Sequence, residues 1–225
     1  MKSRGVYSTK VMDLTKYGVE LNNKILTNAL THSSYAKENN TVCYERLEFL
    51  GDAVLQLIMS DYFYRKSEIS EGAMTKIRAR YVCEEALFAY AEKCGLIQHI
   101  KLGNGLDNQI NETIAADVFE SVIAAIYINS GYIKAKEFVM DVALEDIENK
   151  TIFMNDYKSH LQELVQTNQK SVIYKTIDES GPAHDKTFVV QVIVEGIIYG
   201  EGTGKSKKEA EQNAAANAIK KKAGQ

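Results

Sequence analysis

Three carboxylates stand in one otherwise apolar stretch of this chain. In Glu45-Arg46-Leu47-Glu48-Phe49-Leu50-Gly51-Asp52-Ala53-Val54-Leu55, the residues Glu45, Glu48 and Asp52 fall at i, i+3 and i+7, which a helix stacks on one face. Leu47, Phe49, Leu50 and Val54 cover the rest of its surface. A second stretch repeats the pattern. From Ile114 to Ile126 the only charges are Asp117 and Glu120, again three apart. A helix apolar nearly all round belongs in a core, and a buried carboxylate is costly unless something compensates it. For one such helix, an Arg or Lys from a neighbour and a shared divalent cation are equally good compensation. For two helices with matching spacing, a joint metal site is the better reading.

The ligands on offer are hard oxygens. No His follows a Glu by three residues, so the Glu-x-x-His pattern of di-iron bundles is absent. No Cys pair has zinc-like spacing. An all-carboxylate site suits Mg²⁺, with Mn²⁺ able to substitute; such ions keep waters and bind phosphates. Metal-activated water attacking a phosphodiester is the natural chemistry of such a site.

These acids need helices to carry them. Periodic apolar segments run through Leu21–Leu30, Glu45–Tyr64, Glu71–Cys94 and Thr113–Asn129. Gly131-Tyr132 ends the last, and Ile133–Glu148 forms a further helix. The chain's one proline, Pro182, lies outside this half. Polar residues at Glu148–Thr151 and Asn155-Asp156 mark a linker, dividing residues 1–150 from residues 151–225. Beyond it the pattern changes. Tyr157–Gln166 reads as an amphipathic helix with Leu161, Leu164 and Val165 inward and Asp156 as N-cap. Val172–Ile177 alternates as a strand, and Glu179-Ser180-Gly181-Pro182 reads as a turn. Lys186–Glu195 and Ile197–Thr203 are two more strands about Gly196. Ser206–Lys222 is a final helix with Ala210, Ala214, Ala218 and Ile219 near its packing side.

The net charge of −3 does not by itself suggest a nucleic-acid binder. Residues 1–150 hold 17 Lys and Arg against 21 Asp and Glu, whereas residues 151–225 hold 10 against 9. In the second half Lys205, Lys207 and Lys208 cluster where a helix begins. There the free N–H groups and dipole already favour anions. Lysines are unfavourable for that helix in isolation, and a bound phosphate would repair the mismatch; a solvated basic face is the plainer alternative. Cys43, Cys83 and Cys94 are odd in number and read as reduced, buried thiols. No run of 18 apolar residues occurs and the first residues lack a signal-peptide core. A cytoplasmic protein without membrane attachment is expected.

The run Glu45–Leu55 resembles the signature helix of the ribonuclease III family, and Asp117-x-x-Glu120 resembles that family's second acidic pair. Glu71-Gly72 with Thr75 and Arg78, and Leu30–Tyr35, resemble further family segments. The C-terminal third is similar to a double-stranded-RNA-binding domain. The resemblance implies an all-α endonuclease domain over residues 1–150 and a small α+β domain, α-β-β-β-α, over 151–225. It places metal binding and catalysis on Glu48, Asp52, Asp117 and Glu120. Glu45 and Glu71 match accessory acids lining the same valley across a homodimer, and Phe49 matches an aromatic residue that inserts into the partner. Duplex RNA contacts fall on Gln162 and Gln166, on His184, and on Lys205, Lys207 and Lys208. A-form RNA is read across two minor grooves spanning about 16 base pairs.

The implied activity is double-strand-specific hydrolysis of RNA with Mg²⁺. Its products carry 5′-phosphate and 3′-hydroxyl ends with short 3′ overhangs, from ribosomal and messenger precursors. The chain departs from the family at Tyr44, where Asn is frequent, and at Ser121, where Ala is usual. The loop Gly103–Asn111 lacks a basic residue often found there. A non-catalytic duplex-RNA binder keeping the fold is the rival from another class; it should have lost one of the four metal acids, and all four are present. A DNA substrate is disfavoured because the C-terminal contacts need 2′-hydroxyls. Arg78 and Arg80 read equally well as RNA contacts and as partners of core acids. His32 reads as a structural hydrogen-bonder.

Overall fold

The computed structural model describes residues 13–223 apart from 21, 67, 107–109, 152, 154–156, 167–170 and 183–185. It divides into two compact units, Met1–Phe153 and Met154–Gln225. Asp156, the expected N-cap, lies outside the described residues.

The first unit is helical: α1 (Lys24–Ala29), α2 (Ser33–Asn39), α3 (Glu45–Lys66), α4 (Glu71–Tyr81), α5 (Glu84–Lys93) and α6 (Glu112–Glu148). Asn23, Ser70 and Asn111 cap α1, α4 and α6 by accepting hydrogen bonds from first-turn N–H groups. His32 caps α2, its Nδ1 accepting from the Ser34 N–H, which gives this histidine the structural role expected of it. The core is built on α6. Val118, Phe119, Val122, Ile123 and Ile126 are buried, and they meet Leu55, Ile58 and Met59 from α3 and Leu87 and Tyr90 from α5. Phe119 stacks obliquely on Phe138 and Tyr90 at centroid distances of 5.5 and 5.6 Å. By length and apolarity α6 could cross a membrane, but most of its apolar window is buried inside this unit.

Gly131 breaks α6 with φ 81° and ψ 177°, where the sequence places the end of one helix and the start of the next. The expected segment Glu71–Cys94, however, is two helices. Val82 leaves helical geometry at φ −123°, and Cys83 opens α5 in an extended conformation. No Gly or Pro marks that break, and both helices send apolar residues into the same core, so periodicity alone runs through it. The cysteines are free and only half-buried as residues. Burial pushes the Cys94 thiol up to about 12.

The second unit carries α7 (Tyr157–Gln166), β1 (Val172–Ser180), β2 (Thr187–Val194), β3 (Ile197–Gly204) and α8 (Lys207–Ala223). The strands form an antiparallel sheet in the order β1-β2-β3. Val190, Val192 and Val194 on one face of β2 pack with Leu161 and Val165 of α7 and with Ala210, Ala214 and Ala218 of α8. On β3 that face is presented by Gly200 and Gly202, where a Cβ would strike the α8 backbone at Ala214, so the helix lies directly on the strand. β1 runs on through Glu179 and Ser180, which sequence alone assigns to a turn. A register shift between Thr176 and Asp178 re-pairs the strand, setting Glu179 opposite Phe188 and Ser180 opposite Thr187.

Candidate active site

The acids of the two stretches are carried by α3 and by the first half of α6, which pack against each other. At Gly51, one residue before Asp52, a Cβ would overlap the backbone carbonyl of Glu120. Gly51 is buried. Only hydrogen at this position admits the observed approach of α3 to the α6 backbone at Glu120. Seven residues upstream, Tyr44 makes the second tie. Its hydroxyl donates to Asp117 Oδ2 at 3.0 Å, and its carbonyl accepts from Ser121 Oγ at 3.4 Å and from the Leu47 and Glu48 N–H groups that open α3.

The neighbouring acids act on Glu120 and on Glu48. Burial is the first cause raising Glu120, to about 8, followed by the charges of Asp52, Glu48 and Asp117. Glu48 is raised by burial and then by Asp117, Glu45 and Asp52. Asp117 is raised by burial, with the Tyr44 hydrogen bond working in the opposite direction. Among the described residues no Lys or Arg forms an ion pair with any of the four. Asp61, further along α3, is the contrast: Arg65 and Lys136 reach it at 2.6 and 2.5 Å and hold its carboxyl below the usual range. Salt-bridge compensation is therefore available to α3 and is used elsewhere.

The donor set fits a hard divalent cation. It offers carboxylate oxygens only, and among the described residues the charge that burial and repulsion penalise is met by no Lys or Arg ion pair, only His32 and the Tyr44 hydrogen bond favouring the charged form of Asp117. As the side chains stand, no three His, Cys, Asp or Glu among the described residues are gathered tightly enough to hold an ion.

The accessory positions separate. Glu45 is exposed at the start of α3 and acts electrostatically on Glu48. Glu71 accepts from Thr75 Oγ1 at 3.0 Å and lines a different cavity of about 310 Å³ with Ser60, Phe63, Tyr64, Met74, Thr75 and Arg78. Arg78 donates to Ser60 Oγ at 2.8 Å. Phe49 lies 83% exposed in the isolated chain.

In the second unit, Lys205, Lys207 and Lys208 are exposed at the start of α8. Ser206 Oγ accepts from the Glu209 N–H, and the Glu209 carboxylate accepts from the Lys205 N–H, so the helix start is capped reciprocally. Lys207 lies over the Phe188 ring at 5.7 Å and 3.9 Å from a Glu179 oxygen. Gln162 is half-buried on α7. His184 and the Gln166 side chain lie outside the described residues.

Comparison with known proteins gives the chain's family. The Ribonuclease-III-like family model matches residues 22–147, and the double-stranded RNA binding motif matches residues 157–222. The chain belongs to the ribonuclease III family. It is 46% identical over 197 residues to Ribonuclease 3 of Aster yellows witches'-broom phytoplasma (strain AYWB), covering 86% of this chain and 83% of that one. It is 46% identical over 207 residues to Ribonuclease 3 of Streptococcus pneumoniae (strain CGSP14), covering 88% and 89%. Two structures of the nuclease domain of ribonuclease III from Campylobacter jejuni superpose with TM-scores of 0.53 and 0.52 at 31% and 33% identity. They cover 59% and 61% of this chain and 94% and 92% of theirs.

As a member of the ribonuclease III family the chain is a double-stranded-RNA endoribonuclease, with a helical nuclease domain and an α-β-β-β-α RNA-binding domain. Two residues that contact the acid-bearing segments are not singled out by charge or motif. Tyr44 is noticed only as a departure from the family residue. Gly51 sits inside the signature with no signal of what it faces. A glycine in a helix that is otherwise well formed is the one available clue, since it costs helix stability without a packing reason.

Proposed function

We propose that this ribonuclease III hydrolyses phosphodiester bonds of duplex RNA with Mg²⁺ held by Glu48, Asp52, Asp117 and Glu120, Mn²⁺ being able to substitute. The observation that carries this reading is the set of four carboxylates on α3 and α6, two of them on each helix, with Glu120 and Glu48 raised by burial and by their acidic neighbours and no Lys or Arg ion-paired to any of the four among the described residues. Bound there, the ion supplies positive charge that draws in the scissile phosphate and activates the attacking water. The chain's own residues do the positioning. The Gly51 contact sets the spacing of the two helices, Tyr44 holds Asp117, and Gln56 Nε2 holds Asp52 Oδ1 at 3.2 Å. Products carry 5′-phosphate and 3′-hydroxyl ends, and the substrates are duplex regions of ribosomal and messenger precursors in the cytoplasm.

The active species is a homodimer with no membrane attachment. One of the Campylobacter jejuni structures is described by flexibility in a region involved in dimer formation. Here the exposed Phe49, with Leu57 and Tyr64 also exposed on α3, supplies an apolar surface for a second copy. The cavity floored by Phe63 and Met74 is the natural receptor for the partner subunit's Phe49. Glu45 and Glu71 would then line the shared valley. Lys205, Lys207 and Lys208 meet backbone phosphates, while Gln162, Gln166 and His184 reach minor-groove edges.

Incubating the protein with a long end-labelled duplex RNA, with Mg²⁺ and with chelator, tests the reading. Metal-dependent cuts with 5′-phosphate termini are expected. Tight duplex binding without cleavage at any Mg²⁺ or Mn²⁺ concentration would instead establish a binding protein that keeps the fold.

A further inference from the structure

Tyr44 is 4% exposed, and every polar group it carries is engaged. Its N–H donates to the Thr31 carbonyl at 3.0 Å. Its carbonyl starts α3 by accepting from Leu47 at 2.7 Å and Glu48 at 2.9 Å, and it also accepts from Ser121 Oγ on α6. Its hydroxyl reaches Asp117 Oδ2. Asp117 and Ser121 are four apart on α6, so one residue grips two successive positions of one face of that helix. Thr31 is itself buried and held, its Oγ1 donating to the Thr27 carbonyl at 2.7 Å. The His32 ring lies against the Tyr44 ring at 5.7 Å between centroids. The phenol is thus anchored from the backbone outward, and the carboxylate is the part left to be oriented.

We propose that Tyr44 is a positioning residue of the acid site, its hydroxyl holding one oxygen of Asp117 so that the other is presented to a divalent cation. A buried phenol needs an acceptor, and here the acceptor is a site carboxylate rather than a backbone carbonyl. Groups that hold a ligand from behind fix its direction and retain its charge, and changing them typically lowers metal affinity about 10- to 100-fold. Tyr44 touches neither substrate nor reacting atoms; it acts through Asp117. The inference rests on the reading that the four acids hold a cation.

The test is Mn²⁺ binding to the full-length protein in the absence of RNA, followed by electron paramagnetic resonance of the free ion. Tyr44→Phe keeps the ring and its packing and removes only the hydroxyl. Its Mn²⁺ affinity should fall roughly tenfold or more, with little change in melting temperature in metal-free buffer. Cleavage should be lost at limiting Mg²⁺ and recovered at high Mg²⁺. In an Asp117→Asn background the same change should cost no further affinity. A folded Tyr44→Phe protein that binds Mn²⁺ as tightly as wild type overturns the proposal and leaves Tyr44 a packing residue. Wild-type protein that binds no Mn²⁺ overturns the metal site itself, and the proposal with it. Should Tyr44→Phe fail to fold, Mg²⁺ titration of wild type with tyrosine labelled at ¹³Cζ decides. One resonance must move with metal and stay still in Asp117→Asn; no such resonance overturns the proposal.

Discussion

Asp61 and Glu120 are both acids at the contact of α3 with α6, and their surroundings push them in opposite directions. Asp61 meets Lys136 and Arg65 and is held low. Glu120 meets burial and three other carboxylates and is pushed up to about 8. The consequence for stability has a definite sign. With its folded value above the ordinary 4.5, Glu120 makes the metal-free folded state bind more protons than the unfolded state across that window. Stability of chelated protein should therefore fall as pH rises from about 5 to about 8. Glu120→Gln should flatten that slope and melt higher than wild type near pH 8 in chelator. The same substitution should reduce cleavage by several orders of magnitude while leaving duplex binding intact. Melting curves across pH and cleavage assays on one preparation check both halves. A Gln variant that is stable, steep in pH and active would remove Glu120 from the site.

At the scale of elements, the site depends on how closely two helices can lie. Gly51→Ala is a small change locally and improves intrinsic helix propensity. Its methyl would meet the backbone at Glu120, which cannot move aside as a flexible side chain would. Overpacking of this kind typically costs about 1–3 kcal/mol, and a backbone obstacle places it at the upper end. Chemical denaturation should show that loss, and cleavage should fall further than stability does because Asp52 and Glu120 are displaced from one another. A Gly51→Ala protein with wild-type stability and rate would show that the close approach is not needed. The break after α4 has a comparable lesson. Val82 and Cys83 turn the chain without glycine or proline, because both flanking helices are held by the same core.

For the whole molecule, the questions are self-association and division of labour. Phe49 is the most exposed large apolar side chain among the described residues, on the helix that carries Glu48 and Asp52. Phe49→Ala should weaken dimerisation, since truncating a buried aromatic costs about 3–5 kcal/mol. Sedimentation should show the shift toward monomer, with activity falling in parallel. A wild-type protein that is monomeric at micromolar concentration would sink this expectation. The two compact units make a second forecast possible. Residues 1–153 alone should still cut duplex RNA, weakly and best at low salt, because the lysines of α8 no longer contribute phosphate contacts. A truncated protein that is folded and dimeric yet inert at every salt and metal concentration would assign part of the chemistry to the second unit.

Much of this protein is written locally. The acids at Glu45, Glu48, Asp52, Asp117 and Glu120 announce themselves because charge at helical spacing conflicts with apolar surroundings, and that conflict is visible within a dozen residues. The α-β-β-β-α order is equally local, being a succession of periodicities and turns. What tertiary structure alone decided is which residues meet across long separations. Tyr44 reaches Asp117 over 73 positions and Ser121 over 77, Gly51 faces Glu120, and Glu71 lies in the wall of another cavity. Periodicity reports which face of a helix is buried, but the axial register between two buried helices comes from steric fit and hydrogen bonding between side chains far apart in the chain, and no local pattern encodes it.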